Sequence, residues 1–155
     1  MSEHEDLINE ESFGELLKAV RQKKRILLVG QPGAHGLVTL AMALLMHGDE
    51  QGYQYELFDS GIMRDRKGNG NLYFAQLKST ADIYTLLSLW AHGDGGVATI
   101  YAQTMDEATG WMGAVMKKGG IREPDAFLNC TMDVICMIET EGDSSVVKDV
   151  VVLHH

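Results

Sequence analysis

The segment from residue 25 to 40, RILLVGQPGAHGLVTL, carries residue types that bind phosphate. A short apolar run leads into Gly30, Gly33 and Gly36, and then into an apolar stretch that is typical of a helix. Glycines at a strand-to-helix turn let backbone N–H groups converge on phosphate oxygens, and the helix N-terminus favours an anion. The pattern predicts a turn shaped like a phosphate-binding loop, although five residues rather than four separate its first and last glycines.

The charged and hydroxyl positions of such a loop are altered. In a working loop a lysine follows the last glycine and neutralises the terminal phosphates, and the next residue is a hydroxyl that holds Mg²⁺. Here those positions hold Leu37 and Val38, and Thr39 comes one place late. His35 supplies only a partial positive charge, because imidazole is mostly neutral near pH 7. We expect no hydrolysis, and two alternatives remain: a purely structural turn, or weak nucleotide binding through backbone dipoles.

Hydrophobic periodicity and turn residues predict the elements that position this loop. Helices are expected at 13–22, 37–48, 79–93 and 104–120, and strands at 25–29, 53–59, 72–77, 96–102, 132–140 and 144–153. Ser12 and Glu15 have the spacing of a capping box, and Ser79 or Thr80 can cap the third helix. The segment GIMRDR at 61–66 and the region around Pro124 are predicted to be loops. Alternating strands and helices predict a mostly parallel α/β sheet that ends in an antiparallel hairpin.

Composition limits the class of protein. The chain has 155 residues, 45% of them hydrophobic, which is the size and profile of one globular domain. A net charge of −9 disfavours nucleic acid and anionic lipid as partners. The acidic N-terminal segment does not have the pattern of a secretory signal, and no apolar run is as long as a membrane span, so a cytoplasmic location is expected.

The cysteines and tryptophans are predicted to be structural. Cys130 and Cys136 do not have the spacing of a zinc site, and we expect both to be reduced thiols in the core. Trp90 and Trp111 are expected to pack between the helices and the sheet, with the alternative that Trp111 anchors an interface.

The middle of the chain resembles the RecA-like motor domain of the secretion ATPases, which serve type IV secretion, conjugation and type IV pili. The segment GGVATIYA at 95–102 matches the family's Gly-Gly-x-Ala-Thr-Ile-His-Ala strand in composition and order, and the similarity runs from about residue 24 to 153. The resemblance implies a RecA-like, three-layer P-loop fold over residues 24–155, preceded by a short helical extension over residues 1–23. It also implies a fold that assembles side by side into rings.

The resemblance also assigns the family's functional positions. Its phosphate-loop lysine falls on Leu37 and its metal-binding hydroxyl on Val38. Its acidic box falls near Glu56 to Asp59, its catalytic glutamate on Gln76, and the histidine of its fourth strand on Tyr101. A glutamine cannot act as a base, so the resemblance implies that the fold is kept and the activity is lost.

Three functions are consistent with these observations. The first is a non-catalytic subunit or regulator that docks on a type IV secretion or conjugation ATPase, at the inner face of the membrane and without a resident cofactor. The second is a weak ATPase with a rearranged site, built from His35, Thr39 and Asp59, that binds ATP or ADP weakly. The third is a nucleotide-free α/β domain with an unrelated role, which a first strand at the edge of the sheet would favour.

Overall fold

The computed structural model describes residues 10–33, 36–48, 55–63, 72–141 and 144–153. The helices are α1 (Glu10–Arg21), α2 (Leu37–Gly48), α3 (Ser60–Met63), α4 (Thr80–Ala91), α5 (Met105–Lys118) and α6 (Pro124–Thr131). The strands are β1 (Arg25–Gly30), β2 (Tyr55–Leu57), β3 (Leu72–Gln76), β4 (Gly95–Tyr101), β5 (Val134–Glu141) and β6 (Ser144–Val152). None of the helices in these ranges combines the length and apolar character needed to cross a bilayer.

One six-stranded sheet organises the fold, in the order β2-β3-β4-β1-β5-β6. The first five strands in this order run parallel, and β6 returns antiparallel to β5. The predicted mostly parallel sheet with a terminal antiparallel hairpin is therefore confirmed. Strand β1 lies in the interior of the sheet, with Leu27 opposite Ala98 on one side and Ile135 on the other. The edge position that would have favoured an unrelated α/β domain is not observed.

Helices cover both faces of the sheet because its central strand is apolar on both sides. Ile26 and Leu28 of β1 point into a core shared with α1 and α2. Leu27 and Val29 point into a second core that is covered by α4, α5 and α6. A continuous apolar run is typical of such a doubly buried strand, and the result is a three-layer α/β/α arrangement.

Helix α1 packs against α2 over the first of these cores. Its buried residues, Leu16, Ala19 and Val20, lie within that core. The helix begins at Glu10, so the predicted cap at Ser12 is wrong: Ser12 lies inside the first turn. The boundary between an extension over residues 1–23 and a domain over residues 24–155 stays a prediction.

Two helices occupy segments that the sequence predicted to be loops. Helix α6 starts with Pro124, which is favourable at the first helical position because no intrahelical bond needs its missing N–H. Leu128 is buried in the second core, and the Thr131 hydroxyl donates to the Phe127 carbonyl at 2.9 Å. The short helix α3 includes residues 61–63 of the GIMRDR segment. The sequence predicts a loop around Pro124, but this residue begins a helix.

The amino ends of the strands, which we call the amino edge, are held by an ion pair. The Arg25 guanidinium contacts the Asp133 carboxylate through Nε to Oδ2 at 2.9 Å and Nη2 to Oδ1 at 3.1 Å. Arg25 Nη1 also donates to the Trp90 carbonyl at 3.2 Å. The two charged side chains are only 18% and 9% exposed. This bidentate pair therefore joins β1, the start of β5 and the end of α4.

The two glycines that begin β4 also lie at the amino edge. A Cβ on Gly95 would collide with the Lys23 carbonyl, and a Cβ on Gly96 would collide with the Tyr73 backbone. Gly96 moreover has φ +126°, a backbone conformation that L side chains rarely adopt. The double glycine of the GGVATIYA segment thus allows β4 to approach its neighbours.

The cysteines and tryptophans only partly match their predictions. Cys136 is buried, and burial, reinforced by the charge of Asp149, raises the pKa of its thiol to about 12. Cys130 is exposed, so its predicted core position is wrong; it lies near the end of α6, the helix missing from the sequence prediction. Trp90 is fully buried as expected, whereas Trp111 is 37% exposed.

Candidate phosphate-loop site

The predicted site residues lie at the opposite, carboxyl edge of the sheet. Gly30 ends β1 directly opposite Tyr101, which ends β4. Gln76 ends the next strand, β3, and Asp59 follows β2 at the far side. Ligands of parallel α/β sheets bind at this edge, because the loops that leave the strands converge there. The topology thus brings together four positions that are far apart in the sequence.

The glycine turn after β1 is tied to the neighbouring strands. The Gln31 N–H donates to the Ile138 carbonyl at 3.1 Å, and its side-chain amide reaches the Gln103 carbonyl at 3.4 Å. Gly33 and Gly36 have φ of 93° and 81°, in the region that favours glycine. Both glycines are therefore needed for the turn itself. His35, a predicted site residue, lies outside the described residues.

Helix α2 begins immediately after this turn. The Leu40 N–H donates to the Gly36 carbonyl at 2.8 Å, which makes Gly36 the residue that precedes the first helical turn. Leu37 is only 1% exposed and packs in the core beneath α2. Val38 is half-buried and Thr39 is exposed. The position that the resemblance assigns to the phosphate-loop lysine is therefore a core position, where an ammonium group would lose its hydration.

The start of α2 differs from the starts of the next two long helices at this edge. Helix α4 is capped by Ser79, whose hydroxyl accepts from the Asp82 N–H at 3.2 Å. Helix α5 is capped by Thr104, which accepts from the Glu107 N–H at 3.0 Å. Both helices also carry acidic residues in the first turn, whereas α2 carries none there and follows a glycine. The positive end of the α2 dipole is therefore not neutralised by an acid of its own first turn.

A small pocket of about 330 Å³ brings Asp59 and Gln76 together, and Lys78 and Asp82 also line it. The Lys78 N–H donates to Asp82 Oδ2 at 3.1 Å. Partial burial raises the pKa of Asp82, but hydrogen bonds from the Lys78 backbone, the Ser60 hydroxyl and residue 79 outweigh it, so the pKa lies below its ordinary value. The sequence analysis missed Lys78 and Asp82, although the Ser-x-x-Asp spacing at 79–82 was a signal for the latter.

The other predicted residues lie elsewhere. Val38 and Thr39 line a separate cavity of about 390 Å³ on the outer face of α2, together with Met42 and Met46. Asp59 lies directly before α3 and makes a contact within its own turn of the chain: its Oδ1 accepts from the Gly61 N–H at 2.9 Å. Thr39 and Asp59, which the second interpretation combines in one site, thus line different cavities.

Two of these positions differ from what Mg²⁺-dependent phosphoryl transfer uses. Leu37, at the position that the resemblance assigns to the lysine, is buried, and Gln76 has an amide at the position that it assigns to the catalytic glutamate. Across the part of the chain that the structure describes, no three His, Cys, Asp or Glu side chains cluster as metal ligands. The start of α2 has backbone N–H groups and the positive end of a helix dipole, both of which favour an anion.

The strand order, the helices on both faces and the glycine turn after a central strand define a mixed α/β fold of the RecA-like type. The chain is similar to the crystal structure of the VirB11 ATPase from the Brucella suis type IV secretion system in complex with sulphate, with a TM-score of 0.73 and 15% sequence identity. The match covers 92% of this chain and 52% of that one, so the chain spans about half the length of the ATPase. No family model matches the sequence, and no curated protein is significantly similar to it.

Proposed function

We propose that this chain is a non-catalytic relative of the secretion ATPases. It acts as a subunit or regulator that docks on a type IV secretion or conjugation ATPase complex, at the cytoplasmic face of the membrane. The RecA-like fold supports this proposal, because the resemblance implies a fold that assembles side by side into rings. The partners are proteins rather than nucleic acid.

The observation that carries the proposal is the burial of Leu37. In a working phosphate loop, the lysine at this position reaches the terminal phosphates. Here the side chain at this position instead fills the core beneath α2, so the helix depends on its apolar character. Gln76 and Tyr101 add two further changes at the same edge of the sheet.

Two measurements test this function. A calorimetric titration with ATP and Mg²⁺ is expected to give no heat, with a full-length secretion ATPase as the positive control. Native mass spectrometry of the chain mixed with the secretion ATPase of the same genome is expected to show mixed assemblies. Saturable ATP turnover by this chain, or separate species only in the mixture, contradicts the proposal.

A second candidate function is weak binding of ATP or ADP without hydrolysis. The observation that favours it is the start of α2, which follows a glycine and carries no acid in its first turn, unlike α4 and α5. An anion there would interact with the helix dipole and with backbone N–H groups, without needing a lysine.

The exposed position of Thr39 allows a sharp test of this second candidate. Thr39→Asp puts a carboxylate in the first turn of α2, which stabilises the helix and repels an added anion. We expect it to raise the melting temperature of the free chain and to remove the shift that ATP or phosphate produces; Thr39→Asn is the uncharged control. An equal ATP shift in both variants contradicts binding at this terminus. Mg²⁺-dependent turnover that falls in Thr39→Ala and Asp59→Asn would instead support the rearranged ATPase.

A further inference from the structure

A groove lies on the face of the sheet that α4 and α5 cover. This open groove of about 760 Å³, which we call the α4–α5 groove, runs between these two helices, and α3 closes one end of it. Helix α5 contributes Trp111, Ala114, Val115 and Lys118. Their spacing of three, four and seven residues places them on one face of the helix, along two turns or roughly 10 Å.

Small and aromatic side chains line the groove, and its buried lining residues are Thr85 and Val115. Ala81 and Ala114 lie in it, whereas Tyr84 and Trp111 are 44% and 37% exposed. The Tyr84 ring lies against Gly119, where a Cβ would collide with it. The absence of a side chain on Gly119 thus makes room for the ring. Exposed tyrosine and tryptophan beside an apolar cleft are typical of binding hot spots, because each offers a large apolar body and a polar tip.

The charge of the groove is opposite to that of the chain. Lys118 is the one charged residue among the described residues that line it, although the chain carries 22 acidic and 13 basic residues. For an acidic segment, this groove therefore offers a cation in a chain whose net charge of −9 is otherwise repulsive. A basic segment would have the reverse preference, which gives the groove selectivity for one sign of charge.

The geometry points to a docking site for a short acidic segment of a partner protein. A large apolar side chain of that segment sits over Ala81 and Ala114, between the rings of Tyr84 and Trp111. A carboxylate about two turns away contacts the Lys118 ammonium. This inference goes beyond the proposed function, since it depends neither on nucleotide nor on the partner being a secretion ATPase.

Selection of a random peptide library on the immobilised full chain tests the inference. We expect the selected peptides to combine acidic residues with a large apolar one. Their binding is followed by intrinsic fluorescence, because Trp111 is the exposed one of the two tryptophans and shifts to the blue when it is covered. Replacing the acidic residues of a selected peptide by lysine is expected to abolish binding.

Matched variants locate the site. Lys118→Glu is expected to weaken binding of a selected peptide by about tenfold, because attraction becomes repulsion. Lys117→Glu is the control: it makes the same charge change one residue earlier, at an exposed position that does not line the groove. Equal effects of the two variants, both with the melting temperature of the parent, overturn the proposal. So does a selection that yields only neutral or basic peptides, or none that Lys118→Glu weakens.

Discussion

The two edges of the sheet are built by different kinds of residue. At the amino edge, the Arg25–Asp133 pair and the glycines that begin β4 make close, geometrically demanding contacts. At the carboxyl edge, Leu37, Gln76 and Tyr101 occupy the positions to which the resemblance assigns the lysine, the glutamate and the histidine of a motor. The residues that specify the fold and the residues that would do chemistry are therefore separated by the length of the strands.

This separation explains why a match to the GGVATIYA segment indicates the fold rather than the activity. Its glycines lie at the amino edge and are needed for packing, and its middle residues, Val97, Ala98 and Ile100, are buried in the cores. Only its end, at Tyr101, reaches the candidate site. A match to this segment is thus informative about the fold and nearly silent about activity.

Among the variants at the amino edge, Gly96→Ala is expected to lower the free energy of unfolding the most. The Cβ collides with the Tyr73 backbone and forces an alanine to φ +126°, so we expect a loss of about 4 kcal/mol in the free energy of unfolding. Urea denaturation followed by circular dichroism measures it. Gly14→Ala is the control, because Gly14 lies in α1 with nothing near its Cβ position, and it should stabilise the chain by up to about 1 kcal/mol. Equal stabilities of the two variants would show that the double glycine is not structurally required.

Removing the ion pair at the same edge should have the next largest effect. Asp133→Asn leaves the partly buried Arg25 guanidinium without its carboxylate, and we expect a loss of about 3 kcal/mol. Lys148→Met is the control, since Lys148 and Glu139 form an exposed pair at 3.8 Å, for which a change under about 0.5 kcal/mol is expected. Denaturant midpoints of both variants check the ranking, and a reversal of it would contradict the assigned role of Arg25.

Leu37→Lys tests the carboxyl edge of the sheet. Restoring the phosphate-loop lysine at a buried position is expected to destabilise the chain by about 2 kcal/mol, even if the lysine stem bends toward water. No ATP turnover should appear. Thr39→Lys adds the same charge at an exposed position and should change stability by less than about 0.5 kcal/mol. Gain of ATPase activity by Leu37→Lys would mean that the carboxyl edge has kept the rest of a working site.

The smallest expected effect is the pH dependence of Asp82. Its pKa in the folded chain is below the ordinary value of 3.8, so the ionised form contributes stability above that pH and the contribution is lost as the pH falls through the folded-state pKa. Asp82→Asn should therefore be less stable than the parent at neutral pH, and the gap should narrow as the pH falls below 3.8 toward the lower folded-state pKa. A double-mutant cycle with Ser60→Ala, followed by thermal melting, separates the hydrogen bond from the charge. A gap that does not change with pH would contradict the lowered pKa.

The sequence predicted the parts of this fold that depend on local pattern. The range 37–48 of α2 and the Ser79 cap of α4 agree with the structure because apolar runs and cap residues are local signals. The sequence did not predict α6, because a proline is found both in loops and at the start of helices. The tertiary contacts of Leu128, which the sequence does not show, favour the helix.

The candidate site was less predictable. A helix that is apolar nearly all round does not reveal which side faces the sheet, so the burial of Leu37 had no local signal. The pocket at Asp59 and Gln76 depends on Asp82 meeting Ser60, which requires the packing of α3 against α4. The α4–α5 groove likewise exists only once the two helices lie side by side.

The interior position of β1 affects how the chain folds during synthesis. This apolar strand is made early, yet Ile26 pairs with Val97 and Val134, which leave the ribosome much later. Until then both edges of β1 lack their native neighbours, and such strands aggregate or recruit chaperones. The many long-range pairings also raise the contact order, which slows folding. We therefore expect nascent chains that stop before β4 to be the species most prone to aggregation.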